Sequence, residues 1–159
     1  MQKILRISLL ITLMHLLLIP AFAQQQESTI DITLHQYLRG LRTQRITSFI
    51  ANARFIRDGD TTRAFHQNAQ GLRLTLTGDH QSQAIHTITL CLDNPQHPTK
   101  SDRWLRTLSA TLAILIPQSS EVDRLLVIER TISNETATFH QLSLQSNWQP
   151  CGKAITITL

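Results

Sequence analysis

Glycine is scarce in this chain, five in 159 residues, so little backbone is free to approach and cradle a phosphate or a nucleotide. No Gly-x-Ser-x-Gly elbow, His-Glu-x-x-His pair, phosphate-binding glycine loop or Ser-x-x-Lys dyad occurs, which removes the commonest signatures of hydrolases and nucleotide enzymes. Lysine almost vanishes after residue 23, where Lys100 and Lys153 stand against eleven arginines. Past the N-terminus no apolar run approaches the roughly 20 residues a helix needs to span a bilayer. Cysteine is limited to Cys91 and Cys151. Two such residues allow one intramolecular pairing, and no Cys-x-x-Cys spacing points to a redox couple.

What is present begins with an address. Lys3 and Arg6 precede an apolar run from Ile7 to Ile19, and Pro20 leads into Ala21-Phe22-Ala23. These are the charged, apolar and small-residue regions of a secretory signal peptide cut before Gln24. The reading predicts residues 1–23 as a cleaved signal, 24–32 as a polar leader and 33–159 as one domain. It places the protein outside the cytoplasm, in the periplasm or the extracellular space, with no transmembrane segment after cleavage. An oxidising compartment favours a Cys91–Cys151 disulfide. On the chain-entropy argument, closing a loop of this length stabilises the fold by about 4 kcal/mol.

Without Lys3 and Arg6 the charge falls from +4 to +2, with 13 basic against 11 acidic residues, too mild a balance to imply nucleic acid. The distribution is less even. Seven arginines lie between Arg39 and Arg73 with only Asp58 and Asp60 among them, whereas Glu121 to Glu135 holds four acids against Arg124 and Arg130. A basic first half suits an anionic surface or an acidic partner protein. The plainer reading is a solvated helix face paired within the fold to the acidic segment.

Leu34, Leu38, Leu41, Phe49, Ile50 and Ala53 fall at helical spacing, which predicts a helix over 34–53 with a break near 43–46. Arg39, Arg42 and Arg45, three apart, form a stripe on its outer side. Asp58-Gly59-Asp60 reads as a turn, with Asp60 capping a short helix through Ala69. At Gly71 the period changes. Leu72, Leu74 and Leu76 alternate with Arg73, Thr75 and Thr77, and Ile88, Leu90 and Leu92 resume after Gly78-Asp79, so a hairpin is predicted. Cys91 lies on the opposite parity, near that strand's end. After a Pro95–Pro98 loop, Ser101 caps a helix carrying Trp104, Leu105, Leu108, Leu112 and Leu115, which ends at Pro117. Ser120 and Asp123 resemble a capping pair for a helix continued by Val122, Leu125, Leu126 and Ile132 to about Ser133. Thr136 to Leu144 reads as one strand, Asn147 to Pro150 as a turn, and Ile155, Ile157 and Leu159 as a closing strand. The expected fold is α+β, in the order α-ββ-αα-ββ: a four-stranded antiparallel sheet of two hairpins with helices on one face. Phe65-His66-Gln67 recurs as Phe139-His140-Gln141, a short echo of a duplicated unit, although the first copy falls on a predicted helix.

Histidine is the reactive residue in best supply. His80 and His86 flank the hairpin turn, and His86 shares the parity of Ile88 and so is expected to face inward. One such pair is short of the three or four ligands of a zinc site. Asp58-x-Asp60 opens like a calcium loop but fails at Thr62, Arg63 and Ala69. Asn134-Glu135-Thr136 fits a glycosylation sequon. Trp104 belongs to a core stripe, whereas Trp148, beside Pro150 and Cys151, is either a recognition anchor or a cover for the disulfide. These residues predict an exported domain that binds a protein or an anionic envelope component without catalysis, metal or cofactor. Arg39, Arg42, Arg45 and Trp148 are its candidate binding residues. A small hydrolase and an apolar-ligand carrier are the alternatives.

Overall fold

The computed structural model describes residues 30–46, 54–58, 61–67, 71–79, 81–96 and 98–159. The segment read as a signal peptide, most of the leader, the turn residues Gly59 and Asp60, and Phe49, Ile50, Ala53, His80 and His97 lie outside them. In chain order the elements are α1 (Leu34–Thr43), β1 (Arg54–Asp58), β2 (Thr61–Gln67), β3 (Leu72–Gly78), β4 (Ile85–Leu92), α2 (Pro98–Leu115), α3 (Glu121–Asn134), β5 (Thr136–Phe139), β6 (Leu142–Gln149) and β7 (Gly152–Thr158).

The fold is α+β, with one antiparallel sheet, but the sheet has seven strands rather than four, in the spatial order β1-β2-β3-β4-β7-β6-β5. Three strands account for the difference, and β1 is one that no reading of the sequence expected. The short helix expected over 60–69 is strand β2, paired to β1 from Arg54↔Phe65 to Asp58↔Thr61 and to β3 from Thr62↔Gly78 to Gln67↔Arg73. β-Branched Thr61 and Thr62 favour a pleated strand, and pairing on both sides outweighs the cap that Asp60 offers. Likewise the single strand expected over 136–144 is a hairpin. It turns at His140-Gln141 with Phe139 opposite Leu142, and His140 takes a positive φ of 54°. The echo is therefore not a repeat, because Phe65-His66-Gln67 is all strand and Phe139-His140-Gln141 is a strand end and a turn.

Helix α1 ends at Thr43, at the break expected near 43–46, and the 47–53 part of the predicted helix lies outside the described residues. Thr33 and Gln36 form a reciprocal capping box at its start. At its end the Arg45 amide donates to the Arg42 carbonyl at 2.9 Å and the Ile46 amide to the Leu41 carbonyl at 2.8 Å. Those paired bonds are a Schellman motif in which Arg45, with φ 60°, occupies the left-handed position that glycine usually takes. Helix α2 begins at Pro98, earlier than Ser101, since proline suits the first helical turn. Ser120 caps α3 by accepting from the Asp123 amide at 3.1 Å.

The core lies between the three helices and one face of the sheet. Leu72, Leu74 and Leu76 of β3, Ile88, Leu90 and Leu92 of β4, Ile155 and Ile157 of β7, and Leu142 and Leu144 of β6 share that face and are buried. Leu108 and Leu112 of α2 and Ile128 of α3 close over them. Trp104 is buried as expected, and its indole N–H donates to the Leu90 carbonyl at 3.1 Å. Tyr37 of α1 is fully buried as well. Its hydroxyl lies 2.9 Å from that of Thr111, which itself donates to the Thr107 carbonyl, so Tyr37 is the donor between them. Among the described residues no helix is long and apolar enough to cross a membrane.

The predicted disulfide joins Cys91 and Cys151, with the Cα atoms 6.2 Å apart. It ties β4 to the turn between β6 and β7. Gly152 follows at φ 118°, packed so closely that a Cβ would stand 2.0 Å from the Leu92 carbonyl oxygen. A side chain there would push β7 off β4.

Candidate functional site

The arginines read as one stripe separate into two environments. Arg39 and Arg42 are exposed on α1, and the Arg39 guanidinium lies 2.9 Å from the His35 ring. Because the helix ends at Thr43, the exposed Arg45 leaves that stripe. It lines a cleft of about 620 Å³ between the end of α1, α2 and α3. Asp102 and Arg106 of α2 and Glu121 and Arg124 of α3 are the other charges there, and Ile46, Leu105 and Leu125 give it an apolar lining.

Arg124 is partly committed to the fold. It donates to the Ser119 carbonyl at 2.5 Å and to the Ser109 hydroxyl at 3.3 Å, and so ties α3 to α2 and to the loop between them. Arg106 and Arg45 make no comparable tie among the described residues. Three guanidinium groups and two carboxylates in one cleft leave a net positive charge.

The cleft opens beside an apolar stripe that the sequence had placed in the helical pattern of the core. Val122, Leu125 and Leu126 are 65%, 43% and 53% exposed, while Val127, Ile128 and Thr131 are the α3 residues turned inward. Val122, Leu125 and Leu126 are spaced by three and four and so form one continuous ridge. Helix α3 carries more apolar residues than one face can hold. That excess was legible in the sequence, but which set faced the core was not.

Trp148 belongs to strand β6 rather than to a turn, and it is 68% exposed. It stands directly opposite Lys153 on β7, whose ammonium lies 5.7 Å from the ring centroid. Lys153 in turn pairs with Leu92, so both residues are on the helix-side face, whereas Cys91 has the opposite parity. Trp148 therefore does not roof Cys91; with Trp104, Pro95, Leu105 and Ile132 it walls a second, apolar pocket of about 300 Å³. Leu105 lines both cavities and separates them.

The described histidines do not gather. His86 is exposed, contrary to its parity, because two β4 residues oppose Gly78 where the register shifts after Thr77↔Thr87. That bulge turns Ile85 inward instead. His35 is on α1 and His140 in the β5–β6 turn. Among the described residues no three His, Cys, Asp or Glu side chains are grouped to hold a metal ion. Two side chains have displaced acidities. Burial raises the Tyr37 phenol well above its ordinary value. The Ser82 and Gln81 amides, which donate to Asp79, lower its carboxyl. Both are structural. Comparison of the chain with protein-family models, curated proteins and solved structures gives no match.

Proposed function

We propose that this is an exported, non-catalytic binding domain, and that the cleft between α1, α2 and α3 receives an acidic, apolar segment of a partner protein. The observation that carries the reading is the union of charge and exposed hydrocarbon at one place. Arg45 and Arg106 line the cleft, and Leu125 forms its rim with Val122 and Leu126 beside it. Guanidinium groups pair bidentately with carboxylates, and a ridge of exposed aliphatic side chains supplies the apolar centre that a stable interface needs. Arg39 and Arg42, exposed on the neighbouring helix, extend the positive field and speed encounter with an acidic partner. The signal-like N-terminus and the disulfide support export to an oxidising compartment.

The test uses a photo-crosslinking side chain at position 125 in the secreted protein, with position 138 on edge strand β5 as the control. A discrete adduct from 125 alone, weakened by high salt and by Arg106→Gln, is expected. Arg45→Gly provides a second arm. It deletes the charge at a left-handed position that glycine occupies without strain, so stability should hold or rise while the adduct is lost. No adduct at 125, or one indifferent to both substitutions, rejects the reading.

A further inference from the structure

We infer that the pocket between Trp104 and Trp148 is a separate site for a small amphiphilic carboxylate, its apolar chain or ring held against the indoles and its anionic head on Lys153. The pocket is about 300 Å³ and is lined almost wholly by carbon. Its polar groups are spoken for, with one exception. The Trp104 N–H is bonded to the Leu90 carbonyl, and the Ser101 hydroxyl at the pocket wall donates to the Pro95 carbonyl. Lys153 remains. It has no carboxylate partner among the described residues, whereas Lys100, the other lysine of the domain, is 3.1 Å from Asp93. Its ammonium lies 5.7 Å from the centroid of the Trp148 ring.

An apolar cavity with a single uncompensated cation at its edge selects a ligand by both properties. A neutral hydrocarbon leaves Lys153 unpaired, and a cation is repelled by it. An apolar monocarboxylate satisfies the two together. The exposed indole of Trp148 is the outer wall. Trp148 is held by its strand, at a register position fixed by the β6–β7 hairpin, and 68% of its surface is free for a ligand to cover.

The chain contains two tryptophans, Trp104 and Trp148, and both line this pocket, so intrinsic emission reports its occupancy. The secreted protein is titrated with decanoate, decanol and decyltrimethylammonium, which share a chain and differ in head charge. Decanoate should change the emission saturably below its micellar range and bind at least about tenfold tighter than the other two. Lys153→Gln should bring decanoate down to the level of decanol, with the thermal midpoint unchanged. Trp148→Ala should abolish binding, read from the remaining Trp104 emission. Equal affinity for all three probes, preference for the ammonium, or a Lys153→Gln variant that still favours decanoate overturns the inference. The cleft occupied by Arg45 and Arg106 is untouched by either substitution, so this outcome is independent of the partner-binding reading.

Discussion

Across β3, β4 and β7, Leu74, Leu90 and Ile155 lie in one register row on the helix side and are buried. One residue further along each strand, Thr75, Thr89 and Thr156 form a row on the other face, where they are half-exposed. Thr77, Thr87 and Thr158 repeat the pattern two positions on. The inner row is stabilised by transfer from water, roughly 1.5–3 kcal/mol for each fully buried aliphatic side chain. The outer row relies on neighbours. Thr77 and Thr87 share a hydrogen bond between their hydroxyls, and Thr89 and Thr156 are 3.1 Å apart. Cross-strand pairs of this kind contribute about 0.2–1 kcal/mol each. On that face the disulfide is the strongest single tie, because Cys91 continues the line of Thr87 and Thr89. A one-layer sheet can thus leave a face open when β-branched hydroxyl residues and one covalent link hold what packing holds on the other.

The comparison can be broken in order of expected effect. Replacing both Cys91 and Cys151 with serine should cost about 4 kcal/mol, read from denaturant midpoints. A loss below about 1 kcal/mol would mean the open face does not depend on the link. Leu90→Ala should cost about 3 kcal/mol, whereas Thr89→Ala, one residue away on the other face, should cost less than about 1 kcal/mol. Similar losses at the two positions would mean that the threonine face is as tightly packed as the core.

Tyr37 sharpens the comparison within the covered side. Its phenol is raised in the folded state, so the contribution of the neutral form is complete below about pH 10 and is lost as the pH climbs above that value. Tyr37→Phe should remove this alkaline loss, at a cost of about 1 kcal/mol at neutral pH for the bond to Thr111. An alkaline unfolding curve identical to that of the parent would reject the assignment. The smallest effect has the opposite sign. Ser146 lies in the inner row beside Ile155, and its buried hydroxyl has no hydrogen-bond partner among the described residues. Ser146→Ala should leave stability unchanged or raise it by up to about 1 kcal/mol, because an unpaired buried hydroxyl is removed.

The candidate sites were legible to different depths. Arg45 and Trp148 were visible as exposed, recognisable residue types, and both line cavities. Their companions were not visible. Arg106 and Arg124 share a cleft with Arg45 only because α2 and α3 come together beside the end of α1, and Lys153 meets Trp148 through a hairpin whose turn falls at Pro150-Cys151. Sequence spacing also implied a continuous arginine stripe, which the Schellman turn at Arg45 breaks.

By itself the sequence determined the alternation of β3, β4 and β7, the α2 and α3 helices and the one available disulfide, because each rests on local periodicity, a capping residue or a unique pairing. It also carried a hairpin signal at Gly59-Asp60, between two short β-branched or aromatic runs, which a helix cap at Asp60 masked. Tertiary structure decided the rest. Segment 61–67 becomes a strand because partners on both sides satisfy its backbone groups. The bulge beside Gly78 turns Ile85 inward and His86 out, a switch of parity that no count along β4 anticipates. Helix α3, apolar on two sides, could bury only one of them, and the side that fitted the sheet left Val122, Leu125 and Leu126 facing outward. Local pattern specifies which residues are apolar, but the finite area of the opposing surface decides which of them are covered.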